Sequence, residues 1–293
     1  MTLQALLEEG AEKLKKAGII EADLDAKYLL FEAFQTDMAH FLLNRYADLS
    51  EADSVCGRLE EYRAMIKKRA ERIPLQQIIG RREFMGLVFY VNEHVLIPRQ
   101  DTETLVEEVL KDYKGKNPSV LDMCTGSGCI AISLALLGKF DRVTGADISL
   151  KALRVAEKNA DCLMGEKELA LVESDLFEAF SEKQKFDVIV SNPPYIPTKV
   201  IEGLEPEVRD HEPILALDGR ADGLHFYRRL ALECGRLLNP GGTVYFEIGY
   251  DQGEAVSGLL RDSGFAKVRV IKDGAGLDRV VYGTLAEIGS WSE

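Results

Sequence analysis

From Pro118 onward, short hydrophobic runs alternate with helix-length segments, and no other feature of these 293 residues restricts the fold as strongly. SVLDM precedes GCIAISLALLG, and RVTGAD precedes SLKALRVAEKNADCL. LALVES and FDVIV are further strand-like runs, and the helical GLHFYRRLALECGRLL leads into GGTVYFEIG. A helix over Gln252 to Asp262 and the runs KVRVIKD and RVVYGTL close the series. Strands that alternate with helices pair in parallel, because each crossover helix returns the chain to the same end of the sheet. The pattern predicts an α/β, Rossmann-like domain with helices on both faces of a mostly parallel sheet. Only Gly274 to Asp278 separates the last two runs, too little for a crossover, so that pair is predicted antiparallel. Nicotinamide-binding sheets of this architecture do not normally end in such a hairpin.

The first 73 or so residues read differently. Apolar positions recur at intervals of three and four (Leu3, Leu6, Leu7, Leu14, then Ala26, Leu29, Leu30, Phe34), which predicts amphipathic helices. Ser50, with Asp53 three residues on, is the expected N-cap of a helix running to Arg72, ahead of Pro74. EFMGLVFYVNEHVLIPR reads as a hairpin with Gly86 near the turn or a bulge. DTETLVEEVLKDY reads as a helix capped by Asp101 or Thr102. The expected division is a helical domain over 1–75, a linking hairpin over 76–98 and a catalytic domain over 99–293.

Charge narrows the partners. With 36 Lys and Arg against 49 Asp and Glu the net charge is −13, a poor default for binding nucleic acid. Between Arg58 and Arg82, however, eight basic residues meet three acidic ones, which reads either as a solvated helix face or as a contact patch for an acidic or RNA-bearing partner. The five cysteines form no C-x-x-C pair and no histidine joins them at ligand spacing, so reduced thiols, a cytoplasmic location and no bound metal are expected. No apolar run reaches the roughly 18 residues of a spanning helix, so no membrane is expected either.

VLDMCTGSGCIAISLA puts a glycine-rich turn between the first strand of this domain and its helix. Gly126 and Gly128 allow backbone angles other residues avoid and let a ligand approach the main chain. Asp147 ends the next strand, 25 residues after Asp122, where a carboxylate can hold two ribose hydroxyls. Gly126-x-Gly128-x-x-Ala131 also fits the dinucleotide fingerprint, and a tight turn can need glycines with no ligand at all. Charge separates the candidates. A pyrophosphate wants amide donors and no nearby carboxylate, whereas an amino-acid-bearing nucleoside carries an ammonium group that Asp122 or a loop carbonyl can receive. The favoured ligand is S-adenosylmethionine, at the turn of Gly126 and Gly128 with Asp147 for its ribose. Cys124 and Cys129 read as small packed thiols, not nucleophiles.

SNPPYIP follows FDVIV directly, at a strand's carboxyl end, where open α/β sheets bind ligands. If that strand lies beside the first, the two loops face each other. A methyl acceptor with a planar nitrogen has a delocalised lone pair, so the site's task is to offer acceptors to both N–H bonds. The Asn192 side-chain oxygen and the Pro193 carbonyl suit this, the prolines need no partners for the N–H groups they lack, and Tyr195 offers a flat face. The expected catalytic residues are Asn192, Pro193 and Tyr195, with Pro194 completing the substrate-binding corner. The stretch from Ile196 to Ala221 exceeds ordinary loop length, which suits either a substrate-gripping lid or a covering loop with a short helix.

PLQQIIG, EFMGLVFYV, LIPRQDTE, DMCTGSG, GADIS, SDLFEAF, SNPPYIP, EPILALDGRADGL and DGAGLDRVV occur in this order. The chain thereby resembles, over nearly its whole length, the release-factor glutamine methyltransferases, which are Class I S-adenosylmethionine-dependent enzymes. The resemblance implies a seven-stranded catalytic sheet and, as substrate, the glutamine of the Gly-Gly-Gln motif in class 1 peptide chain release factors. It implies that the helical domain docks that factor and that the protein acts as a monomer. Cys124, Thr125, Gly126, Ser127, Gly128 and Asp147 would then hold the cofactor, Asn192 would touch it as well as the substrate, Phe177 would stack beside the adenine, and Arg99 and Glu103 would border the pocket. Cys124, where the family often has Gly, would contact the cofactor through a main chain of ordinary angles. The Asn-Pro-Pro-Tyr motif alone is shared with adenine N6 methyltransferases of DNA or RNA, which remain the alternative.

Overall fold

The computed structural model of the protein describes residues 1–49, 55–165 and 167–286. The expected cap at Ser50 lies outside them. The chain divides into two compact units, one comprising Met1–Gly80 with Glu205–His211, the other Arg81–Leu204 with Glu212–Glu293.

In the first unit, helices α1 (Leu3–Lys16), α2 (Ala22–Phe34), α3 (Met38–Asn44), α4 (Val55–Ala70) and α5 (Leu75–Ile79) enclose one apolar core. Thr2 caps α1 through its hydroxyl, which accepts from Ala5 N at 3.2 Å, and Lys13, Lys15 and Lys16 complement the dipole at its other end. Leu14, Leu29 and Leu30 are fully buried, each burial favouring the fold by roughly 1.5–3 kcal/mol. The basic stretch is partly spent inside this unit. Arg69 is buried between Asp25 (2.7 Å) and Glu207 (2.8 Å), Arg72 holds the other oxygen of Glu207 at 2.6 Å, and Arg58 donates to the Phe34 carbonyl. Those three cations work in the fold's own contacts.

The second unit opens with the hairpin β1 (Arg81–Phe84) and β2 (Leu87–Tyr90). Met85 and Gly86, both at positive φ, form its two-residue turn. The boundary falls at Gly80, and the hairpin belongs to this unit because Phe84 and Phe89 are buried in its core. Asn159 ties it down further, accepting from Tyr90 N and donating to Tyr90 O. Next come α6 (Glu103–Asp112), β3 (Ser119–Met123), α7 (Cys129–Leu137), β4 (Arg142–Asp147), α8 (Leu150–Leu163), β5 (Ala170–Glu173) and β6 (Phe186–Ser191). After the short helices α9 (Thr198–Ile201), α10 (Pro206–Arg209) and α11 (Ile214–Leu217) follow α12 (His225–Cys234), β7 (Leu238–Glu247), α13 (Gly253–Asp262), β8 (Phe265–Lys272) and β9 (Asp278–Leu285). Of these, α10 falls in the first unit.

The seven strands run in the order β5-β4-β3-β6-β7-β9-β8. The first five pair in parallel; β9 is antiparallel to β8, as the short Gly274 to Asp278 connection predicts, and also to β7. All five residues of β3 are buried, as a central strand covered on both faces requires. Helix α7 is apolar all round, and Cys129 through Ala135 are all buried. Among the described residues no helix is long and apolar enough to cross a membrane.

Candidate functional site

The sheet order decides where chemistry can happen. β3 and β6 are parallel neighbours with Met123 opposite Ser191, so the glycine loop and the Asn-Pro-Pro-Tyr corner leave the sheet side by side. Ser191 Oγ donates to the Met123 carbonyl at 2.7 Å and locks the two strand ends together. The order reverses between these strands, since β4 and β5 lie to one side and β7 to the other, and a crevice opens at such a switch point. Here it is a cavity of about 380 Å³, within the roughly 300–1,000 Å³ of ligand pockets.

One wall is Cys124, Thr125, Gly126 and Ser127, and Asp147 stands beside them. Asp147 Oδ2 accepts from Gly126 N and Oδ1 from Ser149 N, both at 2.9 Å, so a carboxylate on β4 shapes the loop after β3. Burial raises the Asp147 carboxyl while those N–H groups lower it. Gly126 has φ 55, and a side chain there would meet nothing within 4 Å, so the space above the main chain is open to a ligand. Gly128 is not in the wall. It heads α7 at φ 79, where a Cβ would come within 3.1 Å of Ala156 and Ile132, so its task is to let helix α7 approach α8.

Three expectations about this wall need correction. Cys124 adopts φ 64, a left-handed geometry and not an ordinary one, because the chain must turn sharply off β3 before Gly126. Asp122 does not face the cavity. It is fully buried, accepting from Thr125 Oγ1 at 2.6 Å and Ala131 N at 3.1 Å, and burial pushes its carboxyl up to about 7. That removes Asp122 from the groups that can meet a ligand in the cavity, and leaves the loop's main chain there. Phe177 is not in the wall either: it is fully buried in the core under the sheet, and its carbonyl accepts from Arg236. Leu176, at φ 47, turns the chain so that Asp175 and Leu176 line the cavity instead. Nothing in the sequence separates these neighbours, since only the turn decides which points inward.

The corner supplies Asn192 and Pro194 to the wall, while Pro193 is buried and Tyr195 is half-buried against the core beside Cys124, Leu224 and Phe226. The expected Tyr195 face is thus not part of this cavity's wall. Its phenol is pushed up by burial, so it stays protonated at neutral pH. Gln252 Nε2 holds the Tyr195 carbonyl at 3.0 Å, and a Cβ on Gly219 would come within 2.8 Å of the Tyr195 main chain. Ile196 N bonds Leu217 O, Gly219 N bonds Ile196 O and Thr198 N bonds Arg220 O, so the long segment's two ends are clamped back to the corner.

Arg99 lines the cavity and meets the buried Glu212 at 2.5 Å. Glu103 does not: it accepts from Met85 N at 2.7 Å and steadies the hairpin turn. Thr102 is the N-cap residue of α6, one of the two the sequence offers, but its hydroxyl makes no capping hydrogen bond. Asp101 pairs with Arg279 at 3.3 Å, and the Thr102 hydroxyl accepts from Asn192 Nδ2 at 3.4 Å. The Glu247 carboxyl is buried nearby, and burial pushes it up to about 7 against the pull of Thr102, Arg279 and Asn192. Sequence reading missed Thr102 and Glu247. All five cysteines are free, and burial pushes the Cys129 thiol up to about 12, so it is no nucleophile at neutral pH. Among the described residues no three His, Cys, Asp or Glu side chains are grouped to hold a metal.

A loop shaped by a ribose-type acid, open above its glycine, beside a corner that presents an amide oxygen, on a sheet with an antiparallel final pair, defines a Class I S-adenosylmethionine-dependent methyltransferase. Comparisons with known proteins sharpen this. A family model described as the PrmC N-terminal domain matches residues 5–80, and one described as the methyltransferase small domain matches 100–203. The release factor glutamine methyltransferase of Caulobacter vibrioides is 42% identical over 97% of this chain and 96% of that one. That of Geobacter sulfurreducens is 40% identical, with 97% of each covered. A methyltransferase structure from Pyrococcus furiosus, 18% identical, shares the fold with a TM-score of 0.53 over 75% of this chain and 99% of that one. The chain belongs to the release factor glutamine methyltransferase family, and S-adenosylmethionine is its cofactor.

Proposed function

We propose that this enzyme methylates the side-chain amide nitrogen of the glutamine in the Gly-Gly-Gln motif of class 1 peptide chain release factors. The observation that carries this reading is Asn192, which stands in the cavity wall with its amide nitrogen turned inward to Thr102, leaving Oδ1 for a donor on the substrate. Full-length similarity to enzymes named for this reaction supports it.

S-adenosylmethionine supplies an electrophilic methyl carbon. The main chain of Cys124 to Ser127 and the carboxylate of Asp147 hold its amino-acid and ribose portions, and Leu176 takes the apolar place expected of Phe177. Asn192 Oδ1 and the Pro193 carbonyl accept the two N–H groups of the substrate amide. Amide resonance, reflected in a rotational barrier of about 18–20 kcal/mol, withdraws the nitrogen lone pair. Positive charge would grow on nitrogen as the C–N bond forms and the methyl's C–S bond breaks, the sulfur leaving as a neutral thioether, and the nitrogen would then give one N–H proton to solvent. Preorganised oxygens on both N–H bonds stabilise that charge without rearranging. Fixing the nitrogen in line with the methyl group removes much of the entropic barrier. Tyr195, neutral and wedged beside the core, keeps the corner rigid.

The helical region docks the release factor. Exposed Leu24 and Tyr28 on α2 and Leu42, Leu43 and Tyr46 on and just after α3 support this role, since apolar side chains are left at its surface. The protein works as a monomer in the cytoplasm, without nucleic acid or membrane. The test is transfer of label from S-adenosylmethionine to a purified release factor and to the same factor with its Gly-Gly-Gln glutamine replaced, followed by mass spectrometry of the labelled peptide. Label on the wild-type glutamine alone is expected. Equal labelling of both factors, or label entering DNA or RNA instead, overturns the reading.

A further inference from the structure

Arg99 lines the cavity with most of its hydrogen-bonding capacity unspent. It precedes α6, in the same short stretch as Thr102, whose hydroxyl meets Asn192. Its Nη2 donates to Glu212 Oε1 at 2.5 Å. The Glu212 side chain is 1% exposed and that of Arg99 40%, so the guanidinium is anchored to the interior yet reaches the cavity. Burial raises the Glu212 carboxyl and Arg99 lowers it, and Oε1 can accept this bond in either protonation state. A guanidinium carries five N–H donors in a rigid fork. The contact with Glu212 is a single one, since Glu212 Oε2 takes no hydrogen bond. Among the described residues Arg99 donates to no other acceptor, so the rest of the fork is left for a ligand.

S-adenosylmethionine brings one anion into the cavity, the α-carboxylate of its amino-acid portion, and an unpaired buried charge is costly. Arg220 and Arg229 also line the cavity. Arg229 is paired with Asp175 at 2.7 Å, beside the loop after β5, and Arg220 is 58% exposed and paired with Asp218 at 3.2 Å. Position favours Arg99. Asp147 ends β4, which lies with β5 on one side of β3, whereas Asn192 follows β6 on the other. A ribose at Asp147 and a methyl group facing Asn192 send the adenine towards β5 and leave the amino-acid portion on the side of Asn192 and Thr102, where Arg99 stands. We infer that Arg99 is the partner of the cofactor's α-carboxylate, and that Glu212 is a positioning residue which holds the guanidinium fork ready for it. A carboxylate and this fork match in two parallel N–H···O bonds, and a side chain already held by Glu212 loses little freedom when the ligand arrives. The inference rests on the cofactor and not on the acceptor proposed above.

Calorimetry on the purified full chain tests this with two ligands, S-adenosylmethionine and its decarboxylated analogue, which keeps the adenosine, sulfonium and ammonium groups. The wild type should prefer the ligand that carries the carboxylate. Arg99→Gln should raise the Kd for S-adenosylmethionine about 10–100-fold and leave that for the analogue close to wild type. Glu212→Leu, which frees the fork from its anchor, should act in the same direction by about 3–10-fold. Glu212→Gln, whose amide oxygen still accepts from Arg99, should restore most of the preference. A merely structural role would lower Tm and weaken both ligands alike, with the preference between them intact. Equal weakening of both ligands in Arg99→Gln, or no weakening of either, overturns the assignment of the carboxylate to Arg99, and so does a preference lost in Arg220→Gln but kept in Arg99→Gln. An unchanged preference in Glu212→Leu overturns the positioning role. Should Arg99→Gln not fold with Glu212 buried and unpaired, the double variant Arg99→Gln with Glu212→Gln, which leaves no lone charge, decides by the same two ligands. Neither ligand needs a release factor, so failure of the reaction proposed above and failure of this inference are read separately.

Discussion

The loop after β3 and the corner after β6 leave neighbouring parallel strands at paired residues, yet they are built from opposite materials. The first uses left-handed angles at Cys124, Gly126 and Gly128 and turns main chain towards the cavity. The second uses two prolines, which fix φ and carry no N–H to satisfy, and presents oxygens. Asp147 shapes the first by accepting from Gly126 N, whereas Thr102 meets the second by accepting from Asn192 Nδ2. A cofactor that must be gripped and an amide that must be oriented make different demands: many distributed contacts for one, two well-aimed acceptors for the other. If the comparison holds, damage to the corner should appear in turnover and damage to the loop in cofactor affinity.

The largest effect is expected at the corner. Asn192→Ala removes one of two acceptors aimed at the reacting nitrogen, and loss of a single preorganised group of this kind costs about 10²–10³ in kcat. Cofactor affinity, measured by calorimetry, should hardly change. A loss of affinity with turnover intact at saturation would reverse the assignment of the two loops.

A smaller effect, in the other parameter, is expected at the loop. Asp147→Ala deprives Gly126 N and Ser149 N of their acceptor and removes the carboxylate proposed for the ribose. Hydrogen bonds to a charged group contribute about 1.5–3 kcal/mol each, and about 1.4 kcal/mol is a factor of ten in affinity. Cofactor Kd should rise about 10–100-fold while kcat at saturation stays near wild type. A fall in kcat with Kd unchanged would show that Asp147 acts on the corner.

How much of this could be read beforehand differs between the two loops for a physical reason. Alternating periodicity revealed β3, β4 and β6, and the short connection after Asp273 revealed that β8 and β9 run antiparallel, because those are local properties of the chain. The corner could be recognised because proline restricts the backbone whatever surrounds it. By contrast, Phe177 and Leu176 are adjacent apolar residues, both packed in the core, and only the turn at Leu176, with its positive φ, lets Leu176 also line the cavity. Thr102 reads as a helix cap and does sit at the N-cap, but the group its hydroxyl meets, the Asn192 amide, lies 90 positions away in sequence. Glu247 itself ends a hydrophobic run, and its partners depend on which strand lies beside β7. Side-chain direction at a strand's end is a tertiary property, and there the sequence reading failed.

Cys124 sets the finest test of the contrast between the loops. Its left-handed φ of 64 costs a residue with a Cβ roughly 1–2 kcal/mol. Glycine would relieve that strain but lose about 0.5–1 kcal/mol to the greater freedom of its unfolded chain. The two terms nearly cancel, so Cys124→Gly should shift stability by no more than about 1 kcal/mol and leave both kcat and cofactor affinity close to wild type. Cys124→Val places a branched Cβ at the same angle, where strain of about 1–3 kcal/mol is expected. Its Tm should fall and its cofactor affinity should weaken, because the loop can relieve the strain only by moving the main chain that lines the cavity. The turnover of bound cofactor should survive, since Asn192 is held from the other side by Thr102. Equal Tm values for the glycine and valine variants would mean that the turn off β3 is not strained, and that the loop's shape is set by Asp147 alone.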